Sequence, residues 1–158
     1  MVMDRFKIVP LVKTVGKVIS SLLGVNREHD LAVFHKLDGI LDESRMQRIL
    51  NYSFFTECLH GEERELLSKF VDVLQDADEY HNPVIQLRAR KLAGEMSQLL
   101  RTVESTFWMD DREIFRFRSN PVDPTAYDRE LDQLHDAIDK SWKAYKTYRQ
   151  TVKDRLKV

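Results

Sequence analysis

The sequence predicts an all-α protein, an antiparallel helical bundle of about five to six helices whose two longest lie in the C-terminal half. Three observations predict it. Gly and Pro are scarce, five and four in 158 residues, which leaves a turn-rich β architecture little to build with. Apolar side chains recur at helical spacing in segment after segment. Two Asx-Pro pairs, Asn82-Pro83 and Asp123-Pro124, each open a long periodic run with a cap residue followed by proline at the first helical position. A hydrophobic content of 42% and a charged content of 32% belong to an ordinary globular chain.

The first 23 residues place Phe6, Ile8, Leu11, Val12, Val15, Val18, Ile19, Leu22 and Leu23 on one side of a helical wheel. Lys7, Lys13, Thr14, Lys17, Ser20 and Ser21 fall on the other, and Gly24 is a natural terminator. Residues 1–25 therefore read as an amphipathic N-terminal helix or arm, and residues 26–158 as the bundle domain.

A second helix spans Glu28 to Leu37, with Leu31, Phe34 and Leu37 inward and Gly39 as its break. A third starts at Asp42 or Ser44, carries Met46, Ile49, Leu50 and Phe54, and ends at His60-Gly61. A fourth, Glu62 to Ala77, shows the stripe Leu66, Leu67, Phe70, Val71, Leu74 behind an acidic first turn that suits the helix dipole. The helix opened by Asn82-Pro83 reaches about Phe107, with Leu92, Met96, Leu99 and Val103 facing the core. The last runs to Leu156 on a near-heptad seam of Tyr127, Leu131, Leu134, Ile138, Tyr145, Tyr148 and Val152, Ser141 filling the remaining slot.

Residues 109–122 are expected as one irregular loop. Glu113 to Arg118 alternates apolar and charged residues as a strand would. No pairing partner is visible for it, so the expectation is an ordered loop laying Ile114, Phe115 or Phe117 on the bundle.

Net charge is only −1, yet it is segregated. Glu57 to His81 holds eight acidic residues against two basic, a balance of −6; Lys140 to Val158 holds seven basic against one acidic, a balance of +6. Either these are solvated faces, or they are complementary surfaces that steer association. A pI near 6.5 argues against nucleic acid, even with Trp142, Tyr145 and Tyr148 in the basic end.

Catalytic signatures are absent: no phosphate-binding glycine loop, no G-x-S-x-G and no H-E-x-x-H, and no cofactor is expected. Glu57 with His60, and Asp132 with His135, have the i, i+3 spacing of helical di-metal ligands, but no glutamate on an apolar face completes a set. The lone Cys58 excludes an internal disulfide and suits a reducing cytosol as a structural thiol. Lys13 and Lys17 interrupt both a secretory h-region and a transmembrane span.

The expectation is a non-enzymatic cytoplasmic bundle acting through protein–protein interaction, as a homo-oligomer or on another protein. Its candidate interface residues are Val12, Val15, Ile19 and Leu22, then Trp142. The alternative is a peripheral membrane module anchored by the basic helix of residues 5–23. A metal-dependent helical enzyme built on Glu57, His60, Asp132 and His135 ranks third.

Overall fold

The computed structural model describes residues 24, 26–54, 56–76, 80–118 and 124–158. The amphipathic stretch up to Leu23, with Val12, Val15, Ile19 and Leu22, lies outside them. The described residues form a mostly helical bundle, as the periodicity predicts. In chain order they are α1 (26–40), α2 (Glu43–Arg48) with a π-helical continuation (Ile49–Ser53), β1 (Cys58–His60), α3 (Gly61–Gln75), α4 (Pro83–Thr106), β2 (Phe107–Met109), β3 (Ile114–Phe117) and α5 (Pro124–Leu156).

The core forms where the predicted stripes meet. Leu67, Phe70 and Leu74 of α3 are buried with Leu92, Met96, Leu99 and Val103 of α4 and with Leu134, Tyr145, Tyr148 and Val152 of α5. Contacts near both ends set α4 and α5 antiparallel. Tyr80, just before α4, shares a buried hydroxyl–hydroxyl bond of 2.5 Å with Tyr148 near the end of α5. Phe117 meets Phe107, just after α4, at 5.9 Å between ring centres and Tyr127, in the first turn of α5, at 5.4 Å.

Side-chain anchors fix the shorter helices to this pair. Asn82 accepts from the Val84 and Ile85 amides at the head of α4. Buried Asp30 of α1 accepts from the His81 and Asn82 amides at 2.7 and 3.0 Å. The Arg27 guanidinium donates to the Leu156 carbonyl at 2.7 Å, a cation on the C-terminal end of α5. Arg149 of α5 lies over the Phe34 ring at 4.9 Å and pairs with Asp38 and Glu43, so one side chain ties α1 and α2 to α5.

Several boundaries correct the sequence reading. Gly39 does not break its helix, which continues to residue 40. Gly39 is exposed and no glycine among the described residues has positive φ, so its cost there is the entropic one of about 0.5–1 kcal/mol. The turn comes at Asp42, whose side chain caps the Arg45 amide at 2.7 Å. The third helix does not run to His60-Gly61; those residues close β1 and open α3 instead. Glu57, at φ 56°, turns the chain there.

The expected loop contains a strand. β3 pairs antiparallel with β1 (Cys58 opposite Arg116) and with β2 (Trp108 opposite Arg116), giving the order β1-β3-β2. Its partners have three residues each, one extending α4 and one preceding α3, too short to show a period of two. Phe115 and Phe117 nevertheless pack on the bundle as expected. Tyr127, expected in the seam, is 39% exposed against Phe117.

Candidate functional site

The feature most suited to recognition is the outward face shared by α4 and α5. α5 spends one side of its heptad on the core and turns Lys140, Lys143 and Lys146 outward, at helical spacings of three. α4 contributes Arg88 and Lys91, also three apart. Because the helices are antiparallel, these sets face each other across a groove. A cavity of about 160 Å³ lies between them, lined by Arg88, Lys91, Glu95, Lys140, Lys143, Ala144 and Thr147.

Its electrostatics are unbalanced. Lys140 is engaged by Asp136 at 2.6 Å, a contact that holds its ammonium above the usual lysine range, with Glu95 adding a smaller pull. Arg88, Lys91 and Lys143 have no ion pair among the described residues. Arg88 Nε is buried without a hydrogen-bond partner among the described residues.

Trp142 sits beside the groove. Its indole is half-buried, stacked on the buried Tyr145 ring at 5.8 Å between centres and 16° between planes. Lys146 Nζ lies 5.5 Å from the indole centre, a cation–π contact. A second hollow, lined by Asp136, Asp139, Lys140, Trp142, Lys143 and Lys146, shares two lysines with the groove. Leu87, one turn before Lys91 on the same side of α4, is 64% exposed. The face thus offers two apolar contacts set among cations.

Of the sequence-predicted interface residues, Trp142 is the one that lies among the described residues, half-buried beside the groove. The proposed metal ligands are not assembled. Glu57 is half-buried at a turn and its carbonyl accepts from the Phe117 amide at 3.0 Å. His60 closes a strand, so this pair does not share a helix face. Asp132 and His135 are exposed on α5, and among the described residues no three metal-ligating side chains cluster. Cys58 is half-buried rather than buried, with Arg116 Nη1 3.3 Å from its Sγ.

Sequence reasoning missed Arg88 and Lys91. The only signal was the run Leu87-Arg88-Ala89-Arg90-Lys91, which reads as an ordinary solvated helix until α5 supplies the opposite wall. Among the described residues no helix is long and apolar enough to cross a membrane. The chain matches no protein-family model, no curated protein and no solved structure.

Proposed function

We propose that this protein is a non-enzymatic docking module that engages an acidic protein segment through the α4/α5 face bearing Trp142. The observation that carries the reading is the half-exposed indole held between a rigid tyrosine and a lysine, beside a groove with unpaired cations. Aromatic anchors at such places dominate binding energy, while surrounding charges govern orientation and on-rate. With a net charge of −1 the whole molecule exerts little field, so attraction for an acidic segment is local rather than global. A reducing cytoplasm is the matching compartment, since Cys58 needs no oxidised partner.

The reading is tested by fluorescence anisotropy with a labelled Glu/Asp-rich peptide carrying one leucine. Binding to the full chain weakens between about 50 and 300 mM salt, as expected for partly exposed ion pairs. The double variant Lys143→Glu, Lys146→Glu loses about tenfold or more in affinity, two like-charge contacts at about 0.7 kcal/mol each. Equal binding by the double variant and the native chain defeats the proposal. A second copy also carries an acidic surface, in the exposed Glu62, Glu65 and Asp72 of α3 and Asp76 just after it. Sedimentation showing salt-sensitive dimers abolished by the same charge reversals identifies that copy as the acidic partner.

A further inference from the structure

We propose that the α4/α5 groove is a phosphoryl site, in which Arg88, Lys91 and Lys143 hold one phosphate group carried by a phosphorylated side chain of the acidic partner. The choice of carrier rests on the docking reading above; the chemistry of the groove does not.

Size sets the first limit. A cavity of about 160 Å³ falls below the range of roughly 300–1,000 Å³ that holds drug-sized ligands. It still exceeds many times the roughly 10–15 Å³ that one water needs, so a small polyatomic anion suits it.

Charge sets the second. Four cations and one carboxylate line the cavity, and Asp136 draws on only one of the four. The remaining three share the space with the single Glu95 carboxylate, which leaves a net positive lining that a bound anion neutralises. The Arg88 Nε is buried with no acceptor among the described residues, so this guanidinium is not committed to another group there.

Valence sets the third. A carboxylate brings one charge and two oxygens, enough for a single guanidinium. A phosphate monoester brings close to two charges and three acceptor oxygens. That matches one guanidinium fork and two ammonium groups. Lys143 also borders the hollow beside Trp142, so a peptide leaving the groove passes over the indole.

Equilibrium dialysis of the full chain at constant ionic strength tests this, with inorganic pyrophosphate, a Glu/Asp-rich phosphoserine peptide and its serine counterpart as probes. Pyrophosphate is retained at one per chain with saturation below about 1 mM. Arg88→Ala and Lys143→Ala each weaken it about tenfold, while Lys153→Ala, which removes a contact to Glu43 outside the groove lining, leaves it unchanged. Lys143 is exposed, so its variant reads the site independently of any refolding of Arg88→Ala. The phosphoserine peptide binds at least about tenfold tighter than the serine peptide, and Arg88→Ala erases the difference.

Pyrophosphate held more tightly than the phosphopeptide assigns the groove to a free phosphate and overturns the carrier. No saturable retention, or equal retention by Arg88→Ala and Lys143→Ala, overturns the site. If the serine peptide binds the native chain and the phosphoryl probes add nothing, the site falls and the docking reading stands. If pyrophosphate binds and neither peptide does, the docking reading falls instead.

Discussion

Two buried tyrosines in one seam are set for opposite responses to loss of their hydroxyls. Burial raises the pKa of both, Tyr148 with Tyr80 adding to it, so each stays a neutral phenol through the ordinary pH range. Tyr148 bonds the Tyr80 hydroxyl, whereas the Tyr145 hydroxyl is buried with no partner among the described residues. Tyr148→Phe removes the buried hydroxyl–hydroxyl bond to Tyr80 and should cost about 1 kcal/mol; Tyr145→Phe removes a polar atom unpaired among the described residues and should be neutral or slightly stabilising. Urea unfolding of the two variants at equal m-value checks the order, and a reversed order contradicts the pairing. Arg149 is the other residue on which much depends. Its loss leaves Asp38 without its cation, Glu43 with Lys153 alone, and Phe34 and Tyr145 without the overlying plane. Arg149→Ala should destabilise by about 2 kcal/mol, an intermediate value because both carboxylates are partly exposed. A change below about 0.5 kcal/mol in the same measurement would mean the cluster is no more than a surface pair.

At the scale of elements, the β2–β3 turn is held by one carboxylate. Asp110 accepts from the Arg112 and Ile114 amides at 2.9 and 3.1 Å and from Arg116 Nε at 3.0 Å. The Arg112 amide first, then the Arg116 side chain, holds its carboxyl below the usual 3.8. A depressed carboxylate supports the fold above its unfolded pKa, and that support is lost as pH falls through the folded value. The Arg112 and Ile114 amide resonances should therefore titrate with a midpoint below 3.8, and Asp110→Asn should remove the transition. A midpoint at or above 3.8 contradicts this. The same region marks where the sequence ceased to be legible. Long helices announced themselves, since Asn82-Pro83 and the Leu92, Met96, Leu99, Val103 stripe act locally and repeat. Strand β3 depends on Cys58–His60, more than fifty residues away, and on residues that continue straight from α4. Gly39 misled for a related reason: a glycine permits a break, but the turn was placed by the Asp42 cap.

At the scale of the whole molecule, the proposed docking face is a product of assembly. The basic C-terminal half of α5 and Trp142 were readable from the sequence, because charge runs and lone aromatics are visible in one dimension. The groove was not, because it exists only when antiparallel packing sets Arg88 and Lys91 against Lys140 and Lys143. The account stands or falls on whether a partner covers that face. The most direct measurement is acrylamide quenching of Trp142, isolated in a Trp108→Phe chain, with and without saturating acidic peptide. Trp108 is 63% exposed in the sheet, so replacing it leaves the core intact. The account predicts that the peptide at least halves the quenching of Trp142 while Trp108, read in a Trp142→Phe chain, is unaffected. Unchanged quenching of Trp142 at saturation, or equal protection of both indoles, would contradict it.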